Sequence, residues 1–270
     1  MDKYAKTVQS SYMYSRESPE KAKQYVATNL PQYHIHESLS DNHSIVLHNP
    51  KTNDVVIAYR GTLANPFSHP IQSFQDYEAD SQIALGLHHV GAIPRQEEAD
   101  AKYHRTVATF PGANIKVSGH SLGGVESYYV ATKNNLEGHH FSIGESPLPG
   151  IETLNRTQAL FHTGERYDKQ HIYHADHYKG LGNVYNGSDP ISEGTRYLAG
   201  QHHTVKVNSG TNLKAHDLLN FISKIKSTPK NVATFSRTDS LPPNEFNVEF
   251  RKHKKKHSHK IEAWQTKRNQ

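Results

Sequence analysis

The sequence predicts an α/β fold, a central and mostly parallel sheet flanked by helices, on three observations. The β-type run Asn114-Ile115-Lys116-Val117-Ser118 leads through a glycine-rich turn into a helical pattern from Leu122 to Lys133, the strand–turn–helix order of α/β proteins. The nearly all-apolar run Val55-Val56-Ile57-Ala58-Tyr59 suits a strand buried on both faces. Near His216 an amphipathic helix begins, with Leu218, Leu219, Phe221, Ile222 and Ile225 on one face. At 270 residues the chain is long enough to bury a core unaided.

The other elements follow in chain order. Residues 3–29 read as one or two helices, the second starting at Ser18-Pro19-Glu20, where serine caps and proline opens a helix. Strand-like stretches follow at Tyr33–Leu39, Ser44–His48 and Val55–Tyr59, the last two joined by the turn-rich Asn49–Asp54 as a hairpin. A helix is expected at about Gln96–Phe110, and short strands at His140–Ile143, Val184–Asn186 and Thr204–Val207. From about Ser227 the sequence becomes polar and proline-containing. The predicted domain therefore spans 1–226, and 227–270 reads as a polar, basic, disordered tail.

The formal charge of +5 is unevenly placed. Arg251–Gln270 hold eight Lys/Arg against the single acid Glu262, a net of +7, which leaves residues 1–250 at −2. The basicity is thus a property of the tail: a solvated end, a nuclear-localisation signal, or a patch (Arg251–Lys260) that meets an anionic membrane or nucleic acid. The mean hydropathy of −0.79, without a long apolar run, predicts no membrane-spanning helix. The N-terminal MDKYAKTVQS lacks the apolar core of a secretory signal, so a cytoplasmic, nuclear or virion-associated location is expected. With no cysteine, disulfides, thiolate metal sites and a thiol nucleophile are excluded.

The central motif is Gly119-His120-Ser121-Leu122-Gly123-Gly124, which contains the pattern G-x-S-x-G. A sharp strand-to-helix turn lifts the serine hydroxyl above the sheet edge in a strained backbone conformation. Gly119 and Gly123 remove Cβ atoms that would strike the neighbouring helix and strand. The helix beginning at Leu122 aims its free N–H groups and positive end at a developing oxyanion.

These residues resemble the class 3 (fungal lipase-like) branch of the α/β hydrolases. Gly119–Gly124 looks like the family's elbow sequence, and Val55–Thr62 is similar to its strand ending in an R-G-T oxyanion loop, here Arg60-Gly61-Thr62. Phe74–Asp80 resembles its D-W-x-x-D element with tyrosine for tryptophan, and Gly144-Glu145-Ser146-Pro147 its later G-x-x-P. The resemblance covers about residues 30–225. It implies the α/β-hydrolase fold, lipid or other ester substrates such as acylglycerols or phospholipids, and no cofactor. The absence of cysteine departs from the disulfide-bearing fungal members.

A serine hydroxyl needs a histidine to take its proton and a carboxylate to orient that histidine. In this fold the partners follow the serine in the order acid, then histidine. Asp189, in the Asp-Pro-Ile step after the strand-like Val184–Asn186, is the expected acid, a choice the resemblance also implies; Asp176 is the alternative. His216, in a loop running into an amphipathic helix, is the expected base, with His202 and His203 as alternatives. Backbone N–H groups of Thr62 and Leu122 would form the oxyanion hole, with the Thr62 hydroxyl as a further donor.

Between Thr62 and Asp80, prolines with Phe67, Ile71 and Phe74 suit either an apolar lid or an ordinary surface loop. His171, His174 and His177 at three-residue spacing suggest a metal site, but no matching carboxylate pattern accompanies them, and no metal is expected. Ester hydrolysis is the leading reading. An acyltransferase could use the same triad, and an inactive scaffold could bind membrane or nucleic acid through the tail.

Overall fold

The computed structural model describes residues 1–63, 78–80, 82–83, 92–144, 164–179, 184–188, 195, 198–207, 216–223 and 232–235. Asp189, the segment 64–77 and the basic segment 251–270 lie outside the described residues.

Helix α1 (Asp2–Arg16) turns at Glu17 into α2 (Pro19–Asn29), where the Ser18 side chain accepts the Lys21 N–H at 3.2 Å and Pro19 takes the first helical position. Strand β1 is only His34–Ile35, shorter than expected, because Glu37–Leu39 winds into a 3-10 turn. The hairpin β2 (Ser44–Asn49) and β3 (Asp54–Tyr59) pairs antiparallel, with Asn53 at φ 54° in its turn. After α3 (Pro94–Thr109) come β4 (Asn114–His120), α4 (Leu122–Asn134) and β5 (Glu137–Phe141). The short α5 (Glu165–Asp168) precedes β6 (Gln170–Lys179) and β7 (Val184–Ser188). Strand β8 (Gln201–Val207), helix α6 (Leu219–Ser223) and β9 (Val232–Phe235) complete the order.

Among the described residues nine strands form one sheet in the order β1-β2-β3-β4-β5-β6-β8-β9, with β7 beside β6. The centre, β3-β4-β5-β6-β8, is parallel, and the antiparallel pairs lie at β1-β2-β3, β6-β7 and β8-β9. This is the α/β architecture the sequence predicts. The first compact unit spans Met1–Phe235 and takes in β9, which pairs with β8.

Alternation along the strands builds the two largest of three core clusters among the described residues. Ile45, Leu47, Val56, Ala58 and Phe141 meet α1 through Ala5, Val8 and Tyr12, and α6 through Phe221. Val46, Val55, Ile57, Tyr59 and Val117 meet α3 and α4 through Ala99, Val130 and Ala131. Each buried Val, Leu, Ile or Phe among them contributes about 1.5–3 kcal/mol. The sheet is thereby held between helices on both faces, and the carboxyl ends of β3, β4 and β5 come together at one edge. Among the described residues no helix is long and apolar enough to cross a membrane.

Candidate active site

Strand β4 ends at His120 and α4 begins at Leu122, so Ser121 alone makes the turn. Its backbone sits at φ 56°, ψ −122°, a conformation that costs a non-glycine residue of order 1–3 kcal/mol. The glycines of the motif permit the turn by close approach. A Cβ on Gly119 would lie 1.9 Å from the Gly123 carbonyl oxygen, and one on Gly123 would lie 2.4 Å from that of Tyr59. The Ser121 carbonyl is spent on the N–H groups of Gly124 (2.9 Å) and Gly144 (3.1 Å), and the Ser121 N–H donates to Phe141. Three segments thus clamp a half-buried serine.

His216 Nε2 lies 2.8 Å from Ser121 Oγ. Hydroxyl donation to an unprotonated Nε2 is the geometry that general-base activation requires. His202 and His203 are engaged elsewhere: His202 Nδ1 faces His174 at 2.9 Å and its Nε2 bonds the Leu198 carbonyl, while His203 Nε2 meets His171 Nδ1 at 3.2 Å. Asp176 lies on β6, opposite Ser188 of β7 and Lys206 of β8. Asp189 directly follows β7 and is outside the described residues.

The two expected oxyanion donors sit on fixed backbone. Leu122 opens α4, so its N–H is among those with no intrahelical acceptor, at the positive end of the helix dipole. Upstream, the fully buried Arg60 donates from one guanidinium nitrogen to the Gly61 carbonyl at 2.7 Å and from Nε to the Asn42 carbonyl. In a trans peptide the N–H points opposite the C=O, so the Thr62 N–H is directed away from Arg60. The Thr62 hydroxyl donates to Asp80 Oδ2 at 2.8 Å. Its proton is therefore committed to a carboxylate, a correction to its expected part as a further oxyanion donor, and the contact makes Asp80 an anchor for the loop.

A residue without any local sequence signal joins these parts. The Tyr12 hydroxyl, from α1, accepts the Gly61 N–H at 2.8 Å and lies 2.8 Å from His120 Nδ1. His120 Nε2 lies 2.7 Å from the His216 carbonyl, which can only accept. A neutral His120 therefore carries its proton on Nε2, and Tyr12 donates to Nδ1. This chain ties the Arg60–Thr62 loop, the elbow and the backbone of His216 together.

Glu126, in the second turn of α4, is buried yet paired: Arg95 of α3 reaches it at 2.7 and 2.8 Å. The pair satisfies a carboxylate that would be costly in a core. The spaced histidines His171, His174 and His177, from which no metal site is expected, lie on β6. His171 and His174 are three apart on β6, so they fall on opposite faces, and each pairs with a different residue of β8.

No family model and no curated protein matches this chain. Solved structures similar to it include the lipase of Rhizopus microsporus var. chinensis (10% identity, TM-score 0.41, covering 75% of this chain and 72% of that one). The Yarrowia lipolytica LIP2 lipase shares 14% identity at TM-score 0.41, with 75% and 77% covered. Lipase II of Rhizopus niveus shares 14% at TM-score 0.40, with 78% and 80% covered. At these levels the functional argument rests on the geometry of this site alone.

Proposed function

We propose that the protein is a serine carboxylic-ester hydrolase acting on lipid esters through Ser121, His216 and Asp189. The observation that carries this reading is a serine at positive φ on a strand-to-helix elbow with an imidazole nitrogen 2.8 Å from its hydroxyl. A packing turn has no use for either the strain or the pairing.

The reaction follows from the positions. Ser121 Oγ attacks the ester carbonyl while His216 Nε2 takes its proton, and the carbonyl oxygen gains negative charge beside the Leu122 and Thr62 N–H groups. Collapse of the tetrahedral adduct breaks the ester C–O bond, and His216 returns the proton to the departing alkoxide. Water, deprotonated by His216, then attacks the acyl-enzyme and releases the acid with Ser121 restored. Asp189, by its place after β7 and the order of the partners along the chain, is the carboxylate assigned to His216 Nδ1. The lipid substrate class rests on the R-G-T and G-H-S-L-G-G motifs. The same reading gives the Arg251–Lys260 segment a role at anionic surfaces, separate from the chemistry.

The test is hydrolysis of p-nitrophenyl esters and a panel of acylglycerols and phospholipids by the wild type and Ser121→Ala. Loss of turnover in the variant supports the reading; equal rates overturn it.

A further inference from the structure

At the other end of β5 from the elbow, the sheet brings together a second set of chemically active side chains. Glu137 and His139 are two apart on β5 and so share a face, and His171 is the register partner of His139 on the neighbouring parallel strand β6. One donor atom from each of the three lies within 4.8 Å of the other two. The imidazole rings of His139 and His171 stack with centroids 4.7 Å apart and planes 10° apart, and His139 Nε2 is 2.9 Å from Glu137 Oε1.

The surroundings hold each of these groups from behind. Lys116 Nζ takes the other oxygen of Glu137 at 2.6 Å. His139 Nδ1 bonds the Tyr173 hydroxyl at 3.1 Å, and His171 Nδ1 faces His203 at 3.2 Å. A contact on Nδ1, with Nε2 of His139 turned to its neighbour Glu137, is the kind of outer support that metal-binding histidines use.

We propose that Glu137, His139 and His171 bind a divalent transition-metal ion, of which zinc is the type, and that the ion pins β5 to β6. Two imidazoles and one carboxylate select zinc, nickel or copper over magnesium and calcium, which prefer all-oxygen sites. Three protein ligands leave a fourth position for water. Tetrahedral coordination needs donors about 3.3 Å apart, so donors now within 4.8 Å close by up to about 1.5 Å and the stacked rings of His139 and His171 turn to aim their nitrogens at one ion. Glu137, partly open to solvent, provides the entry side and the freedom to move. The site is about four residues along β5 from the elbow end, some 13 Å, and takes no part in the proposed ester chemistry.

The experiment uses the full chain, stripped with chelator and titrated calorimetrically with zinc chloride and, separately, magnesium chloride, alongside thermal unfolding with and without zinc. One equivalent of zinc is expected to bind the wild type and raise its Tm, with no response to magnesium. Glu137→Gln and His171→Gln, each checked for folding by circular dichroism, are expected to weaken zinc binding by at least about tenfold and to lose the Tm rise. Replacing His253, His257 and His259 together with alanine removes the histidines of the tail and is expected to leave the binding intact. Zinc binding unchanged in both single variants, lost in the tail variant, or absent from the wild type overturns the proposal.

Discussion

The Tyr12 hydroxyl lies 2.8 Å from His120 Nδ1, although 108 residues separate them. Through this contact the first helix sets the geometry of a site whose recognisable motifs all lie far downstream. The same hydroxyl accepts the Gly61 N–H, and His120 bonds the His216 carbonyl. Tyr12→Phe keeps the ring and removes the oxygen, leaving a buried N–H and a ring nitrogen without this partner, at about 1–3 kcal/mol each. The expected result is a kcat reduced about tenfold or more with KM little changed, since a misplaced loop costs transition-state contacts. Steady-state kinetics on a soluble ester, with thermal unfolding to report the stability loss, checks this.

Asp80 holds Thr62 from outside the reaction. Asp80→Ala releases the Thr62 hydroxyl and loosens a backbone donor, and one oxyanion donor is worth about 3 kcal/mol, or 10²–10³ in kcat. A fall in kcat within that range is expected, partly recovered in Asp80→Asn, whose amide oxygen still accepts. Kinetics of the two variants side by side tests the anchor.

Gly123 and Gly112 make a paired test of the elbow. A methyl group on Gly123 would sit 2.4 Å from the Tyr59 carbonyl oxygen and 2.5 Å from that of Arg60, both backbone atoms that cannot give way cheaply. Gly112, at φ 73°, has open space around it. Gly112→Ala is expected to cost only about 1 kcal/mol of backbone strain, whereas Gly123→Ala destabilises by several kcal/mol and abolishes turnover. Chemical denaturation of each variant reads the difference.

His140 is fully buried, with Ser127 Oγ 2.7 Å from Nδ1 and Gln170 Oε1 3.0 Å from Nε2. Burial drives its pKa down to about 3, with the Gln170 contact opposing the shift. The unfolded chain binds a proton near pH 6.5, and the native state does so only near 3. The stability from neutral His140 is therefore complete above about 6.5 and is lost as pH falls from there toward 3, at up to about 1.4 kcal/mol per unit. Urea unfolding from pH 7 to 4, with chelator present, is expected to show a shallower loss for His140→Gln than for the wild type.

The strands bearing runs of Val, Ile and Ala, and the helix after the elbow, were legible because their periodicity is apolar and local. Strand β6 was not. Its sequence Gln170–Lys179 carries histidine, tyrosine and aspartate with few aliphatics, and its His171 ring stacks across β5 and β8. Strand β9 likewise forms by pairing at the sheet edge rather than by any strong pattern of its own. Within the site, Ser121 and the loop of His216 could be reached from motif and chain order, and the structure brings them together. Tyr12 could not, because its part depends on where α1 crosses the sheet. The spacing 171, 174, 177 suits a helix, and on a strand a step of three reverses the face.

The central claim is that His216 activates Ser121 as a nucleophile, and a mechanism-based phosphonate tests it most directly. A p-nitrophenyl alkylphosphonate ester should release nitrophenol in a one-to-one burst and leave a phosphonyl group that peptide mass spectrometry maps to Ser121. His216→Ala should slow that burst by several orders of magnitude, whereas His202→Ala should react at close to the wild-type rate. A label on another residue, or a burst that survives His216→Ala unchanged, would contradict the account.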